Sequence, residues 1–161
     1  RNRGEGIEVG CRPASGVKIG ANLVLVDTRY TSLSKYGDGI LGAQVPRSPH
    51  VSVTGYVDYD IQRPHGDLIL GSDFQYYSKQ YFYPSVSSQK SDSLLSQRKY
   101  ALWNAHLTWF PQNNHHLSFD VSVLNLLNSH YKSLAITPIN GLSSLTLGQP
   151  RSFFLQAMYR F

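Results

Sequence analysis

The chain has 161 residues, of which 41% are apolar and only 16% charged, with a net charge of +5, eleven Tyr, seven Phe and a single Met. That charged fraction lies well below the roughly 25% of ordinary soluble domains. No run of about 18 apolar residues occurs, which excludes a transmembrane helix and leaves a sheet, either soluble or embedded in a bilayer. The lone Cys11 cannot close an intrachain disulfide, and its place beside Ile7 and Val9 reads as a small apolar residue.

Period-two alternation predicts seven strands in chain order: Ile7 to Arg12, Val17 to Thr31, Pro49 to Ile61, Asp67 to Phe82, Arg98 to Phe110, His116 to Leu127 and Gln149 to Phe161. Most exceed the roughly 9 to 11 residues that cross a bilayer at a tilt. Three connections are short and rich in turn formers: Pro13-Ala14-Ser15-Gly16, Gln62 to Gly66, and Gln112 to His115. The other three are long, from about Ser32 to Ser48, Tyr83 to Gln97 and Asn128 to Gly148. Alternating short turns and long loops is the pattern of outer-membrane barrels, with turns on the periplasmic side and loops outside. By that parity the carboxyl terminus is periplasmic.

The two faces of these strands differ sharply. One row holds Val17, Ile19, Ala21, Leu23 and Leu25, then Val51 through Ile61 at odd positions, then Leu68, Leu70, Ser72, Phe74 and Tyr76. It continues with Ala101, Trp103, Ala105, Leu107 and Trp109, then Leu117, Phe119, Val121 and Val123, and closes with Phe153, Leu155, Ala157, Tyr159 and Phe161. None of these is charged. The other row carries Lys18, Asn22, Asp58, Asp60, Asp67, Asp73, Asn104, His106, Asp120 and Arg160. A charge facing lipid at mid-depth costs about 2 to 4 kcal/mol, so this division is what a bilayer selects. A β-sandwich alternates similarly, with its core in place of lipid. The length of the segments and the aromatics Tyr59, Trp109 and Phe161 near the short-turn end, as in an interfacial girdle, favour the barrel. Seven strands pairing only with chain neighbours leave two bare edges, which hydrocarbon does not tolerate, so further strands are expected to close the wall. Arg1 to Arg12 lacks the apolar centre of a signal peptide, so either a leader has been removed or the chain is the C-terminal piece of a larger protein.

Several local patterns resemble the C-terminal barrel of TonB-dependent outer-membrane receptors. Asn2-Arg3-Gly4-Glu5-Gly6-Ile7-Glu8 is similar to the family's Asn-x-Gly-Glu and Gly-x-Glu strand start, and Pro46-Arg47-Ser48-Pro49 to its Pro-x-x-Pro. Val123-Leu124-Asn125-Leu126-Leu127-Asn128 with Tyr131 resembles the penultimate-strand element, with Leu127 where Phe is usual; Pro150-Arg151 and Tyr159-Arg160-Phe161 match the last strand. The resemblance implies a barrel of about 22 strands around an N-terminal plug, of which residues 1–161 would be the C-terminal portion, the plug and earlier strands being absent. It implies energy-dependent uptake of a scarce nutrient, a ferric siderophore or similar metal chelate. Implied partners are the inner-membrane protein TonB, the plug and remaining strands, outer-membrane lipid and lipopolysaccharide, and the barrel-assembly machinery, with no nucleic acid, no cofactor and the bacterial outer membrane as location.

Within that frame Asp58, Asp60 and Asp120 are expected in the lumen wall, touching the plug, and Phe153, Leu155, Ala157, Tyr159 and Phe161 as an assembly signal. Tyr81 and Tyr83 are candidate ligand contacts, with Tyr76 turned to lipid, because a phenol offers a flat apolar ring with a polar tip. Basic residues exceed acidic ones toward the loop side: Arg29, Lys35, Arg47, Lys79, Lys90, Arg98, Lys99, Lys132 and Arg151 against Asp27, Asp38, Asp73 and Asp92. Arg47, Lys79 and Lys99 are therefore expected to hold lipopolysaccharide phosphates or an anionic ligand.

Other motifs read blandly. Gly37 to Gly42 has the spacing of a dinucleotide fingerprint, but Pro46 and Pro49 leave no room for the helix that motif must open. His115-His116 lacks carboxylate or thiol partners and reads as turn, and Asp58 with Asp60 reads as wall rather than as an acid/base pair. Asp120 with His106 has no Ser in a nucleophile elbow to complete a triad, so no metal site and no enzymatic activity are expected. Ser91 to Tyr100 permits a capped helix, but the strand alternation after it outweighs a long one; Leu126-Leu127 reads as a strand exit. The rival functions are a passive or substrate-selective porin and, in another class, a soluble β-sandwich binding module.

Overall fold

The computed structural model describes residues 1–32, 40–84, 95–114, 116–136 and 144–161. Its strands are β1 (Asn2–Cys11), β2 (Val17–Thr28), β3 (Val51–Ile61), β4 (Gly66–Tyr77), β5 (Gln80–Tyr81), β6 (Ser96–Gln97), β7 (Tyr100–Pro111), β8 (Leu117–Leu124), β9 (Lys132–Ile136), β10 (Ser144–Leu147) and β11 (Ser152–Tyr159). Seven of them form one antiparallel meander in the order β1-β2-β3-β4-β7-β8-β11. Two small ribbons, β5 with β6 and β9 with β10, project from its long-connection end. Among the described residues there is no helix long and apolar enough to cross a membrane.

The register aligns the two predicted faces across the whole sheet. Val9 pairs with Ala21, Ala21 with Gly55, Gly55 with Phe74 and Phe74 with Trp103. Farther along, Leu107 pairs with Val121 and Val121 with Leu155. Directly paired residues point to the same side, so the apolar rows merge into one continuous surface. Among the described residues no second layer covers that surface: Leu155 is 79% exposed, Phe153 72% and Ile7 64%. The buried apolar side chains among the described residues are Ala43, Phe82 and Ala135, none of them on a wall strand. A β-sandwich would bury this face against a second sheet, and the described residues supply none.

Turn chemistry explains the tight end of the sheet. Between β1 and β2, Gly16 has φ +77°, and a Cβ there would run into the Asp60 carbonyl; with no side chain, its own carbonyl accepts from the Asp60 amide at 2.8 Å. Gly66 (φ +131°) serves likewise beside Phe110 at the β3–β4 turn. Two aromatic pairs lie at this end: Trp109 stacks on Phe119 with ring centres 5.7 Å apart, and Tyr159 meets Phe161 edge-on at 5.3 Å.

Ser72 is a polar residue in the middle of the apolar row. Its hydroxyl donates to the Asn104 carbonyl at 2.9 Å and accepts from the Trp103 indole N–H, so its proton and the indole N–H are both satisfied within the wall.

Strand ends depart from the sequence expectation in instructive ways. β1 begins at Asn2, five residues earlier than expected, which adds Arg3 and Glu5 to the outward row; both lie toward the loop end, with Arg3 paired to Asp27. β4 stops at Tyr77 instead of Phe82, because Ser78 turns back to bond Val51, its amide donating to the Val51 carbonyl and its hydroxyl accepting from the Val51 amide. Tyr81 then leaves the wall for the β5–β6 ribbon. β2 ends at Thr28 rather than Thr31, where Tyr30 folds onto Ala43. β8 ends at Leu124, because Asn125 adopts φ 52°; Leu126-Leu127 is a strand exit. Residues 37–39 of the Gly-rich run, His115 and residues 91–94 of the helix alternative lie outside the described residues, whereas Ser96 and Gln97 are strand.

A charge on the outward row should be far worse than one on the opposite row. Leu107→Arg is expected to cost about 2 to 4 kcal/mol and to abolish heat-modifiable gel migration, while Thr54→Lys on the other face retains it.

Candidate functional site

The polar face of the sheet is a wall of paired groups. Lys18 reaches Asp60 at 2.9 Å, a partly exposed ion pair near the turn end. Asp58 and His106 both lean over Gly71, whose missing side chain gives the carboxylate and the imidazole room against the strand. Asp120 accepts from the Thr108 hydroxyl at 2.9 Å. The three carboxylates expected in the lumen wall thus all lie on the polar face, Asp58 across from Lys18, Asp60 across from Ile69 and Asp120 across from Thr108. Toward the middle of the sheet a concavity of about 460 Å³ opens over Gly10 and Gly20, lined by Glu8, Asn22, Thr54, Asp73 and Asn104. The Tyr56 ring lies across Gly20 and closes the backbone there.

A chain of amides continues from this concavity to the loop end. Asn104 donates to Asp73 at 2.7 Å, and its side-chain oxygen accepts from the Asn125 amide at 2.9 Å. Asn125, 4% exposed, donates in turn to the carbonyls of Ser129 and Gln149, both at 2.9 Å, and accepts from the Ser129 amide. Asn128 (φ 51°) accepts from the Arg151 amide at 3.1 Å. Two left-handed asparagines therefore close the loop base, which is why the Asn-Leu-Leu-Asn spacing occurs at a strand exit.

The expected ligand contacts separate into two groups. Arg47 (φ 55°) donates its amide to the Tyr81 carbonyl at 2.8 Å, and the Lys79 ammonium sits 4.8 Å from the centre of the Tyr81 ring, a cation–π contact. Tyr83 follows two residues later and is exposed. Lys99 is elsewhere, in a cleft of about 500 Å³ with Arg98, His130, Tyr131 and Lys132. Sequence reading counted Arg98 and Lys132 only in a general basic excess and passed over His130, because residues more than thirty positions apart show no local pattern. Lys35, Asp38, Lys90 and Asp92 lie outside the described residues.

The terminal strand turns Phe153, Leu155, Ala157 and Tyr159 outward, and Phe161 stands fully exposed beyond it. His116 ties the end down: its carbonyl accepts from the Arg160 amide and its ring shares a 2.8 Å hydrogen bond with the Arg160 carbonyl.

No family model matches the sequence, and no curated protein matches it. Solved structures do resemble it. The ferric yersiniabactin uptake receptor FyuA from Yersinia pestis superimposes with a TM-score of 0.78 at 18% identity, covering 99% of this chain and 24% of that one. BauA, the ferric preacinetobactin receptor from Acinetobacter baumannii, gives 0.73 at 24% identity over 98% of this chain and 22% of its own. The unliganded ferric citrate transporter FecA gives 0.65 at 27% identity over 91% and 21%. The chain spans under a quarter of the length of these proteins and shares their fold along nearly all of its own.

Asn125→Ala would keep a side chain in a left-handed backbone while removing the amide that two carbonyls depend on. A loss of about 1 to 3 kcal/mol is expected, read as a lower unfolding temperature of the heat-modifiable species; Asn125→Gly, relieving only the backbone, should recover little of it.

Proposed function

From the premise that the chain has the barrel fold of the TonB-dependent outer-membrane receptors, we propose that it is the C-terminal portion of such a receptor, set in the bacterial outer membrane. The observation that carries this reading is the outward-facing, mainly apolar row of seven registered strands, against which no second layer lies among the described residues. Hydrocarbon is the solvent in which such a face is stable. The remaining strands close a barrel of about 22, and the plug fills it. Neighbouring receptors of this fold are described by their ferric chelates, which supports energy-dependent uptake of a ferric siderophore or similar metal chelate here.

Each part of the wall then has a role. Tyr81, Tyr83, Arg47, Lys79 and Lys99 at the loop end meet the incoming ligand. Asp58, Asp60 and Asp120 on the polar face meet the plug, their carboxylates favouring a basic partner. The outward row contacts lipid, the basic rim attracts lipopolysaccharide phosphates, and TonB supplies energy through the plug. The row Phe153, Leu155, Ala157, Tyr159 and Phe161 presents the assembly machinery with an apolar edge strand.

Uptake of radiolabelled iron chelates by cells expressing the full-length receptor tests the transport reading. Accumulation should cease when the inner-membrane proton gradient is dissipated; accumulation that continues undiminished would identify a passive porin. Deleting Phe161, or Phe161→Asp, should lower the amount of folded, heat-modifiable protein in the outer membrane several-fold, and normal insertion of both variants would remove the terminal residue from the assembly signal.

A further inference from the structure

Asn104 bonds two places that the fold otherwise keeps apart. Its side-chain amide donates to Asp73 Oδ2 at 2.7 Å, on the border of the central concavity, and its side-chain oxygen accepts from the Asn125 backbone amide at 2.9 Å, where β8 ends. Asn125 is buried, and its own side chain donates to the carbonyls of Ser129 and Gln149, both at 2.9 Å. Ser129 precedes β9 and Gln149 follows β10, so one side chain clasps both feet of that ribbon. Farther out the ribbon is held by Tyr131 stacked on Tyr100, ring centres 4.7 Å apart, and by Gln97, which accepts from the Lys132 backbone amide at 2.6 Å.

Only one orientation of the Asn104 side chain serves both ends. Turned over, it would set its oxygen against the Asp73 carboxylate and its NH2 group against the Asn125 N–H, so the two bonds form together or fail together. The main chain at this position is itself pinned in β7, its carbonyl accepting from the Ser72 hydroxyl at 2.9 Å, and rotation of the side chain is the motion that remains. At the concavity the other carboxylate oxygen, Asp73 Oδ1, has no partner among the described residues. A donor group that engages it there fixes the carboxylate and, through it, the orientation of Asn104.

We propose that Asp73 and Asn104 form a relay by which the state of the lumen concavity sets how tightly the β9–β10 ribbon is held at its base. Engagement of Asp73 tightens the footing, and loss of its acceptor oxygen loosens it. Asn104 is a positioning residue that acts through Asn125. The assignment of the concavity to a lumen rests on the receptor reading above, whereas the link between concavity and ribbon does not. Linkage makes the coupling reciprocal, so whatever orders the ribbon from outside favours an engaged Asp73 to the same degree.

Hydrogen exchange in the detergent-solubilised full-length receptor, read on the ribbon amides of Lys132–Ile136 and Ser144–Leu147, tests the relay. Asp73→Val keeps a strand-forming side chain but removes the acceptor, and it should speed exchange there by about fivefold or more. Asp73→Asn, which retains an acceptor oxygen, should stay within about twofold of the unaltered receptor. So should Thr54→Ala, which borders the same concavity without a bond to Asn104. Asn104→Ala should match Asp73→Val, and the double variant Asp73→Val/Asn104→Ala should exchange no faster than Asn104→Ala alone, as two parts of one link must. If Asp73→Val lacks heat-modifiable migration, Asn104→Asp, which sets a second carboxylate against Asp73, takes its place with the same expected gain. Unchanged ribbon exchange on removing the acceptor, equal acceleration by Thr54→Ala or by Asp73→Asn, or additive loss in the double variant would overturn the proposal. The expected pattern in a receptor that accumulates no iron chelate would keep the relay and remove the transport reading alone.

Discussion

Each wall strand must present apolar side chains outward without a protein layer to receive them, and the rest of the molecule follows from that demand. Water would make this face a liability for aggregation, since exposed apolar patches of soluble monomers seldom exceed a few hundred Å². Hydrocarbon reverses the sign: an outward leucine costs nothing there, while an unpaired backbone amide costs several kcal/mol. The meander meets both terms by bonding each strand to its chain neighbours and by pairing Ser72, in the middle of the outward row, with Trp103 and Asn104.

With the apolar side committed to lipid, polar organisation is confined to the opposite face, and it is graded along the strands. Near the turns it is acidic and locally paired, with Lys18 on Asp60 and Asp120 on Thr108. Toward the loop end it becomes basic, from Arg47 and Lys79 around Tyr81 to Arg98 and Lys132 in the ribbon cleft. Along such a wall the local potential runs from positive at the loop end to negative near the turns.

Between these zones runs the amide chain Asp73–Asn104–Asn125, which ends on the carbonyls of Ser129 and Gln149 at the base of the β9–β10 loop. It explains why asparagine occupies 125 and 128: both positions are left-handed, and both side chains satisfy backbone groups that the terminating strand leaves open. The same bonds anchor the base of the β9–β10 ribbon, while Tyr81 is carried on the short paired β5–β6 ribbon.

Alternation and turn chemistry by themselves determined the count of wall strands, which side chains share each face, and the order of short and long connections, because a strand's side-chain period is local and survives any choice of partner. They could not say where a wall strand stops. Tyr76, Tyr77, Tyr81 and Phe82 read as one alternating run, yet the wall ends at Tyr77 and Tyr81 pairs with Ser96, since the partner is chosen by chain returning from far away. The early start of β1 was hidden for a related reason: Gly4 and Gly6 have no side chains to show a pattern, and only pairing with β2 reveals the strand. The tertiary structure alone separated Lys99 from Arg47, Lys79 and Tyr81 and joined it to Arg98, His130 and Lys132, because contacts across thirty residues depend on how the ribbons dock and leave no periodic trace in the chain.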